Sequence, residues 1–185
     1  MKHASKHLRF VKHLGDFRFK SWLDRNASEA LIEMGLRAGH IVLDFGCGTG
    51  TYTIPIARLV GEKGRVYALD VSTEALGRLE EKARREGLKN ITRIISKGER
   101  VPLEDESIDL MLLIDVLQEI DDWNTLFEEA YRILKPNGKC SVYPMHVSAE
   151  EVERLAVGKG LNLEDKKIEG RILLFNKGPQ SRMVA

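Results

Sequence analysis

Hydrophobic residues in this chain occur in two patterns: short unbroken runs, and stretches where they recur every three or four positions. Ile41–Phe45, Arg65–Leu69, Asn90–Ile95, Ile108–Ile114 and Lys139–Pro144 are runs of the first kind, and runs of that length read as buried strands. Ile108–Ile114 is nearly all apolar, which predicts a central strand. Between the runs lie helical periods. SEALIEMGL (Ser28–Leu36) predicts a helix with Ser28 as N-cap, an apolar stripe of Leu31, Ile32 and Leu36, and an end marked by Gly35 and Gly39. Thr51–Val60 reads as helical if Pro55 falls in its first turn. Ser72–Glu86 is a helix capped by Ser72, with Ala75, Leu76, Leu79 and Ala83 facing inward. Trp123–Leu134, closed by the turn Lys135–Gly138, and Ala149–Val157 are two more. Leu161–Lys177 reads as two strands joined at Glu169–Gly170, an antiparallel hairpin. Residues 1–26 lack a clear period but hold Phe10, Phe17, Phe19 and Trp22.

Strands alternating with helices predict an α/β fold, a doubly wound and mostly parallel sheet with helices on both faces. Right-handed crossovers then bring every parallel strand's C-terminal end to one edge, where ligands bind. Asp44, Asp70 and Asp115 stand at such ends and are expected to converge there.

With 185 residues, the chain suits one domain with a full core. A net charge of +1 gives no whole-protein field favouring nucleic acid or membrane. Two cysteines, Cys47 and Cys140, are too few for a disulfide framework or a Cys-rich zinc site and fit a reducing cytoplasm. No apolar stretch approaches the roughly 18–20 residues of a membrane span. The N-terminus lacks a secretory apolar core, although its basic, acid-poor composition also fits an organellar transit peptide. Scarce glutamine beside abundant Lys and Glu leans toward a thermophilic source.

The loop after the first strand carries Gly46, Gly48 and Gly50. A dinucleotide-binding loop wants G-x-G-x-x-G and a pyrophosphate, yet the frame from Gly48 runs on to Thr53, and Asp44 precedes the loop by two residues. At about 4–6 Å a carboxylate and a phosphate repel by up to a few kcal/mol at an effective dielectric near 20. The ligand there is expected to offer a cation. A P-loop is excluded because no Gly-Lys-Ser/Thr follows. Asp70 ends the second strand at roughly the spacing of a carboxylate that accepts ribose hydroxyls. A ribose, an ammonium, a sulfonium and no phosphate describe S-adenosylmethionine.

Four ordered segments carry a resemblance. VLDFGCGTG (Val42–Gly50), VYALD (Val66–Asp70), ERVPLEDESIDLMLLIDVLQEIDD (Glu99–Asp122) and EEAYRILKPNGK (Glu128–Lys139) are similar to the motifs of class I S-adenosylmethionine-dependent methyltransferases, of the group that includes the ubiquinone/menaquinone-biosynthesis type. The likeness spans roughly Gly35–Lys177 and implies a seven-stranded Rossmann-like sheet whose last hairpin supplies an antiparallel strand. It implies that Asp44 and the backbone of Gly46, Cys47 and Gly48 face the methionine part. Asp70 would hold the ribose, Val71 would pack on the adenine, and Asp115 and Val116 would line the cofactor beside the methyl. Two departures stand out. Lys97 occupies a place where an acid contacting the adenine amine is common, leaving Glu99 or the backbone of Gly98 for that contact. Gln118 stands where histidine is frequent, which removes a candidate base.

Residues 27–178 are then the cofactor-binding methyltransferase domain, preceded by a basic, aromatic segment (1–26) that is either a substrate lid or plain packing, and followed by a tail (179–185). No catalytic residue stands out. His146, after the fifth strand, is a candidate base or substrate contact, and Gln118 a weaker candidate. His3, His7 and His13 lack acidic or Cys partners nearby and read as a solvated basic segment rather than a metal site. Asp121 and Asp122 read as surface charges, and Cys47 and Cys140 as structural. Because the sulfonium is an activated donor, alignment does most of the work. The expected acceptor is a small molecule. RNA or protein is the alternative, fitting the basic N-terminus, but there is no N-P-P-[YF] box and no Pro-Cys nucleophile. A cofactor-holding module without turnover is a third reading. Doubly wound folds dimerise through many faces, so a homodimer stays open.

Overall fold

The computed structural model describes residues 17–96 and 100–178. Phe10, the three N-terminal histidines, Lys97, Gly98, Glu99 and the tail therefore lie outside the described residues. Helical residues 17–25 (α1) lead into α2, Ala27–Glu33, and β1, Ile41–Phe45. Then come α3 (Thr53–Val60), β2 (Arg65–Asp70), α4 (Thr73–Arg85), β3 (Ile91–Ile95), β4 (Ile108–Ile114), α5 (Trp123–Ile133), β5 (Leu134–Tyr143), α6 (Ala149–Gly158), β6 (Leu161–Lys167) and β7 (Ile172–Lys177). The seven strands form one sheet in the order β3-β2-β1-β4-β5-β7-β6. All neighbours are parallel except those involving β7, which runs antiparallel to β5 and to β6. The expected doubly wound sheet with its terminal hairpin is present, and β4 lies at the centre.

Alternation along the strands divides the core. Val42, Val66, Leu110 and Leu112 meet Leu23, Leu31, Ile56 and Val60 from α1–α3, and Ala68, on the same side of β2 as Val66, meets Leu76 and Leu79 of α4. Leu43, Met111, Leu113, Val142 and Phe175 meet Phe127, Ala130 and Ala156 from α5 and α6 on the other face. Each fully buried Leu or Phe contributes about 1.5–3 kcal/mol of transfer free energy, so both layers are needed. Pro55 is the third residue of α3, where the helix leaves an N–H free in any case. Ser72 caps α4 as expected, its Oγ accepting from the Ala75 N–H at 3.1 Å.

Four expectations are corrected. Ser28 is not a cap: α2 begins at Ala27, with Asn26 at the cap position and its amide turned back to the Trp22 carbonyl at 2.8 Å. Ile32 is half-exposed, because the buried stripe of α2 runs through the smaller Ala27 and Ala30 with Leu31 and Met34. Residues 17–25, which show no clear period, are helical: Phe19 and Leu23 are buried four residues apart, while Phe17 and Trp22 face outward and blur the pattern. Finally, β5 starts at Leu134 rather than after the Lys135–Gly138 turn. Leu134 already pairs with Ile108 and Lys139 with Leu110, so the turn is an excursion within a strand, with Asn137 at φ +65°.

Candidate functional site

The C-terminal ends of β1, β2 and β4 deliver Asp44, Asp70 and Asp115 to one edge of the sheet. A cleft of about 380 Å³ opens there, and Gly46, Asp70, Val71, Asp115 and Val116 are among the residues lining it. Five of the residues expected to contact a cofactor are thus brought together. Ser96, Glu119, Ile120 and Asp121 line the same cleft and were not foreseen as contacts; only their position just beyond strand ends could have pointed to them. A larger cleft of about 660 Å³ lies between α4 and β3, but none of the three strand-end aspartates lines it, so chemistry rather than size locates the site.

The glycine loop explains itself through its amides. The Gly46 and Cys47 N–H groups both donate to the Leu69 carbonyl, at 2.8 and 3.0 Å, and the Gly50 N–H to the Cys47 carbonyl at 3.0 Å. The Gly48 N–H donates to Asp70 Oδ2 at 2.7 Å. An anion-binding loop must aim free N–H groups at its ligand. Here these amides are committed to the protein, and one of them is spent orienting a carboxylate. Gly46 has φ +75°, and a Cβ on it would fall 2.4 Å from Val116 Cγ2. Glycine is required there so that the loop can lie against the turn after β4.

Asp70 is held at both oxygens, Oδ2 by the Gly48 N–H and Oδ1 by the Ser72 N–H at 2.8 Å. Each oxygen keeps a second lone pair, so the fixed carboxylate can still accept from two adjacent hydroxyls. Val71 beside it is 64% exposed, an apolar surface that a flat ring could cover.

Asp44 is only 3% exposed and is not among the cleft's lining residues. Thr53 Oγ1, at the start of α3, donates to its Oδ2 at 2.6 Å. Burial pushes the Asp44 carboxyl up from its ordinary value of 3.8 to about 6; the Thr53 bond opposes this and the nearby Asp70 charge adds to it. Cys47 is buried beside both carboxylates, and burial raises its thiol far above the ordinary range. Cys140, fully buried in β5, is pushed up to about 12 for the same reason. Neither thiol is an available nucleophile.

On the β4 side, Asp115 adopts φ +55°, and Gln118 Nε2 donates to its carbonyl and to Oδ1, each at 3.0 Å. Helix α1 crosses nearby. Lys20 Nζ is 2.8 Å from Asp24 Oδ1 and 3.9 Å from Asp115 Oδ2, and the Tyr52 hydroxyl donates to Asp24 Oδ1 at 2.5 Å. Burial, then the Asp24 bond and the surrounding carboxylates, drive the Tyr52 phenol strongly upward, so it is a fixed donor. Phe19 packs on Tyr143 at 5.1 Å between ring centroids. Lys20 near Asp115 and Tyr52 on Asp24 escaped the sequence reading because those partners lie far along the chain; Thr53 is only nine residues from Asp44, but their contact depends on how the glycine loop folds. His146 is exposed at φ +67° in the turn after β5 and is not among the cleft's lining residues. Asp122 does more than sit on the surface: it caps α5, accepting from the Thr125 N–H at 3.1 Å. Among the described residues, no group of three or more His, Cys, Asp or Glu side chains is placed to share a metal ion, and no helix is long and apolar enough to cross a membrane.

Comparison with known proteins agrees with this geometry. A methyltransferase domain family model matches residues 36–170. The demethylmenaquinone methyltransferase of Oceanobacillus iheyensis is 32% identical over 122 residues, 66% of this chain and 50% of that protein. The ubiquinone/menaquinone biosynthesis C-methyltransferase of Pseudoalteromonas translucida is 34% identical over 125 residues, 67% of this chain and 50% of that protein. The chain thus spans about half the length of these curated relatives. A crystal structure of a SAM dependent methyltransferase from Aquifex aeolicus superposes with a TM-score of 0.73 at 26% identity, covering 84% of this chain and 91% of that one.

Proposed function

Because this chain belongs to the methyltransferase domain family, we propose that it moves a methyl group from S-adenosylmethionine to a small-molecule acceptor, of the quinone kind that its relatives' names indicate. The observation that carries the cofactor assignment is the glycine loop whose amides are spent on Leu69, Cys47 and Asp70. Four amides of the loop are thereby withdrawn from a pyrophosphate, and the carboxylates around it favour a cationic nucleoside.

In this reading Asp70 accepts the ribose hydroxyls, and Val71 covers one side of the adenine. Gly46 allows close approach, and Asp44 supplies negative charge behind the loop. Asp115 and Val116 border the reacting end. Gly98 and Glu99 remain the candidates for the adenine amine. When bound, S-adenosylmethionine supplies a methyl already activated on sulfur. The chain's own task is to align an acceptor in line with that bond and to keep water out, and alignment alone accounts for about 7–11 kcal/mol of barrier in well-oriented systems.

Calorimetric titration with S-adenosylhomocysteine and with NAD tests the assignment. The thioether nucleoside binds and the dinucleotide does not, and Asp70→Ala weakens the former by at least about tenfold, the loss of one hydrogen bond to a charged group. Binding of NAD alone, or unchanged affinity in Asp70→Ala, would overturn it.

A further inference from the structure

β4 ends in a residue with an uncommon backbone. At φ +55°, Asp115 lies in the left-handed region, where a Cβ crowds the chain and which aspartate enters when local hydrogen bonds support it. Gln118 gives that support twice over, its single Nε2 reaching both the Asp115 carbonyl and Oδ1 at 3.0 Å. Gln118 is the middle residue of a one-turn 3₁₀ helix, Leu117–Glu119. That turn is closed by the Glu119 N–H on the Val116 carbonyl at 2.9 Å and the Ile120 N–H on the Leu117 carbonyl at 3.2 Å. Val116, between the clamp and the turn, is the side chain that touches Gly46. The chain of contact runs from Gln118 to Asp115, to Val116, to the glycine loop.

We propose that Gln118 is a positioning residue: it locks the left-handed turn at Asp115 and so aims the Asp115 carboxylate and the Val116 side chain into the cofactor cleft. The inference rests on the reading that Asp115 and Val116 border the bound cofactor. Gln118 is not itself among the cleft's lining residues, and a carboxamide does not titrate near neutral pH and cannot serve as a base there, so it acts through Asp115 and not on the acceptor. The clamp requires an N–H donor at this spot. Glutamate would set acceptor against acceptor and charge against charge, whereas histidine keeps a ring N–H.

The test is calorimetric titration of S-adenosylhomocysteine into the full chain and its variants, with thermal melts alongside. Gln118→Ala binds about three- to tenfold more weakly, the size of one lost hydrogen bond of ordinary strength. Gln118→Glu binds more weakly still, and Gln118→His recovers toward the unaltered protein. Combined with Asp115→Ala, which weakens binding by itself, Gln118→Ala costs less than it does alone, because the carboxylate it orients is gone while the carbonyl of residue 115 and Val116 remain. A merely structural role predicts equal losses with Ala and Glu that follow the melting temperature, and a full additional loss in the Asp115→Ala background; either result overturns the proposal. If Asp115→Ala alone leaves affinity unchanged, Asp115 does not border the cofactor, and that assignment falls whatever Gln118 does.

Discussion

Replacing Asp44 by asparagine should stabilise the cofactor-free protein at neutral pH while weakening its cofactor. Asp44 is 3% exposed and accepts a hydrogen bond from Thr53, and its carboxyl is raised from 3.8 to about 6, chiefly by burial. A rise of about two units, at 1.36 kcal/mol per unit, corresponds to about 3 kcal/mol separating the protonated from the ionised folded state. The sign follows from proton counting. Between about pH 4 and pH 6 the folded chain holds a proton that the unfolded chain has released, so stability is fully present below the unfolded value and is lost as pH rises through about 6. At pH 8 the burden is complete. Asparagine has the same shape and keeps a carbonyl for the Thr53 hydroxyl, but its NH₂ needs a partner of its own, which costs part of the gain. The expected net is about 1–2 kcal/mol, or roughly 2–8 °C in melting temperature for a domain of this size.

Thermal melts of both proteins from pH 4 to pH 8 are the assay. The gap should be small near pH 4, widen as pH rises from about 4 to about 6, and stay level above that. Titration with S-adenosylmethionine should show the opposite trend. The unaltered protein loses affinity below about pH 6 as Asp44 takes up a proton, whereas Asp44→Asn is weak at every pH. A gap that does not vary with pH, or an Asp44→Asn protein less stable throughout, would refute the account of a buried charge kept for its ligand.

Gly46→Ala meets two obstacles, the left-handed φ of +75° and the Val116 Cγ2 atom 2.4 Å from the new Cβ; denaturant titration should show a loss of about 1–3 kcal/mol, partly restored by adding Val116→Ala. Glu129 on α5 accepts from the Val101 N–H at 2.9 Å and from Arg132, whose guanidinium also reaches the Val101 and Leu103 carbonyls. Glu129→Ala should therefore cost about 2–3 kcal/mol in urea at pH 7. Because the Arg132 bonds, foremost, hold the Glu129 carboxyl below its ordinary 4.5, its contribution is present above that value and lost as pH falls beneath it, so the two proteins should converge in acid.

What could be read from the sequence depended on how local the determining contacts are. β4 was legible because Ile108–Ile114 is apolar on both faces, and α4 because its cap and stripe lie within one period. The strand-end aspartates were legible because strand direction alone brings Asp44, Asp70 and Asp115 to one edge. α1 was not, since only Phe19 and Leu23 of its residues are deeply buried while the outward Phe17 and Trp22 share their chemistry. The early start of β5 was hidden by Pro136 and Gly138, which mark a turn whether it precedes a strand or interrupts one. Gln118 looked like the loss of a base, and only the backbone at Asp115 reveals a different part for it. Thr53 meets Asp44 across the fold of one short loop, and Lys20 nears Asp115 from a distant segment; no spacing rule exists for either.

The same contacts bear on whether the N-terminal segment is a lid or packing. In α1, Phe19 and Leu23 are buried in the sheet's first core layer, which is packing. On the adjoining face of the same helix, Asp24 accepts from Tyr52 of the loop after β1 and Lys20, paired with Asp24, approaches Asp115 just beyond β4. A helix held only by packing would need no polar tether to two loops that border the reacting end. The tethers are weaker than the core contacts, since partly exposed ion pairs contribute about 0–1 kcal/mol each, so the polar side can let go while the apolar side stays docked. An enzyme that works by alignment and water exclusion gains from such an arrangement. Residues 17–25 thus pack into the core through Phe19 and Leu23 and reach the loops after β1 and β4 through Lys20 and Asp24.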